Sequence, residues 1–93
     1  MNAPLELQRE VQIVNSYGLH ARPAAQFVKL ASRFQSDVWV RKQELEVNGK
    51  SIMGMMMLAA EFGSAITIRT TGSDAEQALR ELVDLVANKF NEE

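Results

Sequence analysis

The stretch VQIVNSYGLHARPAAQFV, residues 11–28, changes its hydrophobic pattern part-way along, and this change decides how the rest of the chain is interpreted. Val11 and Ile13 alternate with polar neighbours, which is typical of a half-buried β-strand. After the break at Ser-Tyr-Gly, residues 21–34 have helical spacing, with apolar positions at Ala24, Phe27, Val28 and Ala31. Because proline is tolerated only in the first turn of a helix, Pro23 indicates that this helix begins just before it.

A β-hairpin is predicted next along the chain. The segment SDVWVRK (36–42) alternates, with its two valines on one face of a strand. The segment ELEVNGK (44–50) directs Leu45 and Val47 inward and ends in Asn-Gly, which is a strong turn signal. The two segments therefore form neighbouring strands.

A short helix, a strand and a long helix complete the predicted order. Ser51 is suited to cap a helix that runs through IMGMMMLAAEF and that Gly63 closes. The β-branched segment SAITIRTTG (64–72) predicts a strand, and Ser73 or Asp74 then caps the final helix. The apolar stripe of that helix consists of Ala75, Ala78, Leu79, Leu82, Val83, Val86 and Phe90.

Each predicted strand has one apolar face and the helices are amphipathic. A four-stranded sheet with its helices on one side is the simplest way to bury these surfaces, which makes an open-faced α/β sandwich. The split βαβ arrangement has a similar order of elements, and the order alone does not choose between these topologies.

Composition limits the classes of function. Ninety-three residues make one small domain, and a net charge of -2 argues against a general nucleic-acid binder. The chain has no cysteine, which excludes disulfides, a thiol nucleophile and a zinc–thiolate site. No secretory signal is evident, and the longest apolar run is far shorter than the roughly 20 residues of a membrane-spanning helix. We therefore expect a soluble protein without membrane insertion.

His20 is the only histidine, and its surroundings suit phosphoryl chemistry. A neutral imidazole is a competent nucleophile at physiological pH, and the first N–H groups of a helix favour an anion. Arg22 can add a charge-assisted contact, and Gly18 lets the preceding turn adopt a positive φ. The same position is also common for a simple cap or surface histidine. Metal binding is disfavoured because a single histidine without cysteines would need carboxylates from elsewhere in the chain, and the spacing of Ser16 and Asp37 does not orient a catalytic triad.

A second candidate site lies in NGKSIMGMMM, residues 48–57. Ser51 is first of all a helix cap, but a phosphate there would add about -1.5 to -2 charge at a helix N-terminus. The five apolar side chains that follow cannot all face inward on one short helix. Some should form an exposed methionine-rich surface suited to partner docking, unless the small sheet simply needs a broad hydrophobic cover.

These two motifs together make the chain resemble the histidine-containing phosphocarrier protein (HPr) family of the bacterial phosphoenolpyruvate-dependent phosphotransferase system. GLHARPAAQFV is similar to the family's phosphorylation motif and NGKSIMGMMML to its regulatory-serine segment, and the resemblance extends from about Glu10 to Phe90. It implies an α/β (α+β) open-faced β-sandwich, with a four-stranded antiparallel sheet and three helices on one face. It also implies a single domain over residues 1–93, in which we expect residues 1–7 to be a short flexible extension.

The resemblance also assigns roles to residues. His20 would accept the phosphoryl group on Nδ1 (the pros position), Arg22 would stabilise it, and the backbone of Ala21 and Arg22 would bind phosphate. Ser51 would carry a regulatory phosphate. Docking of partners is expected at Ile52, Met53 and Met56.

The implied partners are enzyme I as donor, enzyme IIA domains as acceptors, and a serine kinase/phosphorylase and a transcriptional regulator acting through Ser51. Such a protein is a cytoplasmic, monomeric carrier with a covalent phosphohistidine rather than an independent enzyme, and it needs no cofactor or metal. Two alternatives differ in class. The first is a regulatory phosphoprotein of a nitrogen- or carbon-control branch, in which phospho-Ser51 switches docking to a kinase, transcription factor or permease. The second is a structural or ligand-binding domain with neither modification. The intact GLHARPA motif favours the carrier, because a purely regulatory module would not require His20.

Overall fold

The computed structural model of the protein describes residues 5–92, and the order of its elements matches the prediction. Four strands and three helices are followed by one short helical turn, Lys89–Asn91, which we call the C-terminal turn. The elements are β1 (Glu6–Gln12), α1 (Ala21–Ala31), β2 (Asp37–Lys42), β3 (Leu45–Asn48), α2 (Ile52–Met57), β4 (Ala65–Thr71) and α3 (Ala75–Ala87).

The four strands form one antiparallel sheet in the order β1-β4-β2-β3. This order resolves the topology that the sequence left open, because β4 lies between β1 and β2. The register places Ile68 of β4 between Arg9 of β1 and Val40 of β2. Alternate residues of β2 and β4 are buried, as expected for a sheet that is covered on one side. The predicted open-faced sandwich is confirmed.

The helices cover the buried face of the sheet and form the core with it. The side chains of Phe27 in α1, Met55 in α2 and Leu82 in α3 are all fully buried in one hydrophobic cluster. Burial of a side chain of this size contributes roughly 1.5–3 kcal/mol to folding. The opposite face of the sheet carries polar side chains, among them Arg69, whose guanidinium lies 5.8 Å from the centre of the Trp39 ring.

Two helices end earlier than the sequence predicts. The first ends at Ala31 rather than Phe34. The second ends at Met57 and does not extend to Gly63, because Ala59 adopts a positive φ of 49° and turns the chain out of the helix. Gly63 itself has a φ of 88°, so it lies in a turn of the loop that precedes β4 rather than at the helix end.

One predicted core residue is exposed. Leu45 was expected to face inward with Val47, but its side chain is 43% exposed whereas that of Val47 is 8% exposed. Leu45 is the first residue of β3, an edge strand, and its partner Lys42 is the last residue of β2 before the hairpin turn. It therefore lies at the margin of the core rather than within it.

The sheet includes part of the segment that was expected to be flexible. Glu6 and Leu7 belong to β1 and pair with Thr71 and Thr70, so the predicted boundary at residue 7 is wrong. β4 is long enough to pair with β1 over all seven of its residues. The rest of the predicted extension, residues 1–4, lies outside the described residues.

The C-terminal end of the chain departs from a helix. The stripe predicted for α3 is buried, together with Leu85, but the helix ends at Ala87. Phe90 is 1% exposed, yet it reaches the core from the C-terminal turn. All three residues of that turn have positive φ values, 58° at Lys89, 55° at Phe90 and 62° at Asn91, so the turn is left-handed.

Asp74 occupies the predicted N-cap position of α3 but binds a different part of the chain. Its carboxylate accepts hydrogen bonds from the backbone N–H of Gln35 (2.9 Å) and of Ser36 (2.9 Å) and from the Ser36 hydroxyl (2.5 Å). No side-chain capping bond to its own helix is present. Asp74 therefore fixes the loop between α1 and β2 to the start of α3.

Because of these contacts, the free energy of unfolding depends on pH in the acidic range. The Ser36 hydroxyl, followed by the backbone N–H of Gln35, lowers the pKa of Asp74 below 3.8. The stabilisation is present above pH 3.8 and is lost as the pH falls through the lower folded-state pKa. We expect Asp74→Asn to lower the Tm at pH 7, and the difference from the wild type to shrink as the pH is lowered through this range. Calorimetry across pH would check this, with the exposed Asp84→Asn as control; a difference independent of pH would contradict it.

Candidate functional site

The turn before His20 is held by short backbone contacts. The N–H of Gly18 donates to the Asn15 carbonyl (3.1 Å), and the N–H of Leu19 donates to the Ala60 carbonyl (2.7 Å). Gly18 has a φ of 70°, as predicted, and a Cβ at this position would lie 2.7 Å from the Ala60 oxygen. Only glycine therefore fits this conformation without displacing the chain on which His20 is carried.

His20 lies at the N-cap position of α1. Its backbone is extended (φ -85°, ψ -170°), its carbonyl accepts the N–H of Ala24 (3.0 Å), and its side chain makes no capping bond. Pro23 lies in the first turn, as expected from its missing N–H. Because the first N–H groups of a helix lack intrahelical partners, those of Ala21 and Arg22 are available to an anion. The first turn contains no acidic residue that would repel one.

The imidazole of His20 is 42% exposed and has two close neighbours. Its Nε2 lies 3.2 Å from Oε2 and 3.3 Å from Oε1 of Glu92, and the Tyr17 ring is perpendicular to it with ring centres 6.3 Å apart. These three residues line a cleft of about 560 Å³ together with Ser16 and Arg22. The structure thus brings the predicted pair His20 and Arg22 to one open cleft.

Two residues near His20 were not predicted from the sequence. Glu92 is 72 residues away in the chain and lies in Asn-Glu-Glu, which has the composition of a solvated terminal segment. Asn15 is fully buried, and its Nδ2 donates to the Gly18 carbonyl (2.7 Å) and to Glu92 Oε1 (3.3 Å). Asparagine before a glycine turn could have indicated a turn-stabilising side chain, but no local signal indicates the contact with Glu92.

Ser51 caps α2, as predicted. Its Oγ accepts the N–H of Gly54 (3.0 Å), and its N–H donates to the Asn48 carbonyl (3.1 Å). The residue is half-buried and has an extended backbone conformation. Ser51 and His20 are thus the N-cap residues of two separate helices, α2 and α1.

The helix that follows Ser51 leaves most of its apolar side chains exposed. We call this the α2 surface; its members are Ile52 (44% exposed), Met53 (76%), Met56 (45%) and Met57 (65%). Only Met55 of α2 is buried, so the prediction that these side chains cannot all face inward is confirmed. All three side chains expected to contact partners, Ile52, Met53 and Met56, are accessible.

Within residues 5–92, no three histidine or carboxylate side chains are grouped in a way that could hold a metal ion. None of the helices in this range is long and apolar enough to cross a membrane.

An exposed histidine at the N-terminus of a helix, which shares a cleft with an arginine in an open-faced sandwich, is the arrangement expected of a small phosphoryl-carrier domain. The family model described as PTS HPr component phosphorylation site matches residues 7–88. The chain belongs to this family, the HPr phosphocarriers of the phosphotransferase system.

Individual relatives agree with this assignment. The phosphocarrier protein HPr of Neisseria meningitidis is 49% identical over 86 residues, which are 92% of this chain and 97% of the relative. The crystal structure of HPr-C-His from Thermoanaerobacter tengcongensis is 47% identical, with a TM-score of 0.89, and the match covers 94% of this chain and 98% of that one.

A third relative is a dimer, which differs from the monomer expected for this chain. The structure of Crh, a catabolite repression protein of Bacillus subtilis, is 43% identical with a TM-score of 0.73, and the match covers 89% of this chain and 95% of that one. It is described as a dimer with a swapped domain. The expectation of a monomer therefore does not hold for every protein of this fold.

The geometry of the turn before His20 leads to a prediction. We expect Gly18→Ala to destabilise the domain by about 1–3 kcal/mol, because the new Cβ adds a clash with Ala60 to the strain of a positive φ. Gly63→Ala is the matched control: its φ is 88°, but nothing lies within 4 Å of the new Cβ. Chemical denaturation should show the larger loss for Gly18→Ala. Equal losses would mean that the contact with Ala60 does not constrain the turn.

Proposed function

We propose that His20 accepts a phosphoryl group from enzyme I and passes it to enzyme IIA domains. The observation that carries this proposal is the half-exposed imidazole at the N-terminus of α1, in one cleft with Arg22. Membership of the phosphocarrier family supports it. The donor and acceptor proteins themselves are inferred from the family.

The proposed roles follow from the surroundings of the ring. A phosphoryl group on His20 would meet the unpaired N–H groups of Ala21 and Arg22 at the positive end of the helix dipole. The Arg22 guanidinium would neutralise part of the transferring charge. Phosphoryl transfer needs mainly positioning and charge neutralisation, so a small domain without a deep cavity can perform it.

Incubation with phosphoenolpyruvate, magnesium and enzyme I tests this function. We expect intact-mass analysis to show one phosphoryl group that mild acid removes and that His20→Ala does not acquire.

Arg22→Ala should slow the transfer by about tenfold without unfolding the domain, because one charge-assisted contact is lost. Arg33→Ala, which removes an exposed arginine beyond the other end of α1, is the matched control. An unmodified wild-type chain with an active donor would refute the carrier function, and equal rates for the two arginine variants would refute the role of Arg22.

A second, regulatory function is proposed for Ser51. Its hydroxyl already lies at the N-terminus of α2, where a phosphate is compatible with the helix dipole. The α2 surface begins at the next residue, so a new negative charge would alter the contact of apolar partners. The partners proposed for this state are a serine kinase/phosphorylase and a transcriptional regulator, and Ile52, Met53 and Met56 are proposed as docking residues.

Ser51 variants separate its structural role from its regulatory one. Ser51→Ala should cost about 1 kcal/mol of folding stability because the Gly54 N–H loses its acceptor. Ser51→Asp should retain most of this stability while adding the charge, and should weaken binding to enzyme I in titration calorimetry. Phosphorylation by ATP and the cognate serine kinase should give an acid-stable phosphate. Enzyme I binding that is unchanged in Ser51→Asp would count against the regulatory role.

The fold and the family also support a proposal about the oligomeric state and the location of the protein. We propose a cytoplasmic monomer: the family supports the location, and the pairing of β1 with β4 of the same chain over seven residues supports the monomer, because the sheet needs no strand from a second chain. The alternative, a structural domain with neither modification, predicts no phosphoryl transfer to His20, and the mass measurement distinguishes it.

A further inference from the structure

The C-terminal turn brings Glu92 onto the imidazole of His20. Both carboxylate oxygens lie within hydrogen-bond distance of Nε2, at 3.2 and 3.3 Å. The Glu92 side chain is only 15% exposed, compared with 42% for His20, so this contact is more sheltered than a typical surface ion pair. A carboxylate accepts hydrogen bonds but does not donate them, so the ring must donate from Nε2.

The backbone that carries Glu92 adopts an unfavourable conformation. Three successive non-glycine residues are left-handed, a conformation that costs free energy because each Cβ comes too close to the following carbonyl oxygen. Phe90 offsets this cost, because its side chain is 1% exposed and belongs to the core cluster. The N–H of Glu92 donates to the Lys89 carbonyl (3.0 Å) and closes the turn. Continuation of α3 would not give this geometry.

Asn15 joins the carboxylate to the turn that precedes His20. Its buried Nδ2 donates both to Glu92 Oε1 and to the Gly18 carbonyl. One amide group therefore holds Glu92 in register with the backbone two residues before the imidazole. Strained conformations that are fixed from several sides are frequent at functional sites.

We propose that Glu92 is a positioning residue that keeps the proton of the neutral imidazole on Nε2 and leaves the Nδ1 lone pair for the phosphoryl group. This inference rests on the proposed phosphoryl transfer to His20. The charged side chains that line the cleft with the ring are Glu92 and Arg22, and the Tyr17 ring is perpendicular to the imidazole. Glu92 thus acts at one nitrogen while the phosphoryl group binds at the other.

The step is balanced without any further reactant. The Nδ1 lone pair forms the N–P bond as the bond between the donor and phosphorus breaks, and the bonding electrons leave with the donor. The Nε2 proton stays on the ring, which gains positive charge during the step. The carboxylate of Glu92 faces this developing charge and stabilises it.

The single histidine makes the protonation state of the ring directly measurable. In protein with ¹⁵N-labelled histidine, at a pH where the ring is neutral, the imidazole nitrogen shifts report the ratio of Nδ1–H to Nε2–H. We expect Glu92→Ala to raise this ratio about threefold or more relative to wild type, since a hydrogen bond to a charged acceptor is lost. Glu92→Gln should change it less, because the amide oxygen still accepts from Nε2. Glu76→Ala, an exposed glutamate at the opposite end of α3, is the control and should leave the ratio unchanged.

Phosphoryl transfer provides the second measurement. With enzyme I as donor, Glu92→Ala should lower kcat by about three- to tenfold with little change in KM, because the lost contact acts on the ring rather than on docking. Glu92→Gln should retain the preferred Nε2–H form but lose the charge, so its kcat should lie between those of Glu92→Ala and wild type. Thermal unfolding of each variant establishes that the domain is folded.

The two measurements separate this inference from the proposed function. An Nδ1–H to Nε2–H ratio and a kcat in Glu92→Ala that equal those of Glu76→Ala would overturn the role of Glu92 while leaving transfer to His20 intact. If Glu92→Ala changes the Nδ1–H to Nε2–H ratio but the wild-type protein accepts no phosphoryl group from an active donor, the carrier function is overturned and the contact between Glu92 and His20 is not. A fall in kcat without any change in the ratio would contradict the role of Glu92 as a positioning residue, because only its negative charge would then affect the transfer.

Discussion

The hydrogen bond from Leu19 to Ala60, made possible by the positive φ of Gly18, is the contact on which the site depends. It joins the turn before α1 to the loop after α2 and thereby fixes where α1 begins. The start of α1 in turn determines which residue occupies the N-cap position and faces solvent. Without this backbone contact, His20 would still precede a helix, but neither the cleft nor the approach of the C-terminal turn would be defined.

Local chemistry determined the parts of the structure that the sequence predicted well. Pro23 marks the first turn of α1, Gly18 marks the positive φ before it, and Ser51 marks a cap, because each depends on only a few neighbouring residues. The alternation of Val38 with Val40 and of Ile66 with Ile68 identifies the buried face of the sheet for the same reason. The order of elements left two related topologies open, and the strand order β1-β4-β2-β3 decided between them, whereas the motif predicted that His20 and Arg22 lie at one site.

The parts that were missed depend on contacts between distant residues. The side chain of Asp74 could have capped α3, but the loop at Ser36 offers three donors, and these compete successfully for the carboxylate. The spacing of Phe90 fits the stripe of α3, yet its side chain reaches the core from a left-handed turn. Glu92 is recognised only when both ends of the described chain are placed together. Such contacts leave no periodic signal in the sequence.

The open cleft at His20 also limits how a phosphocarrier of this family can work. With His20 as the proposed phosphoryl carrier, one ring nitrogen in one cleft of about 560 Å³ cannot be reached by a donor and an acceptor at the same time. The carrier must therefore release one protein before it meets the next, and each complex must be short-lived for flux to be high. Association rates differ little among related interfaces, so affinity is set mainly by the dissociation rate. Because each complex must dissociate quickly, its affinity has an upper limit. A partner that bound the cleft very tightly would halt the relay rather than speed it.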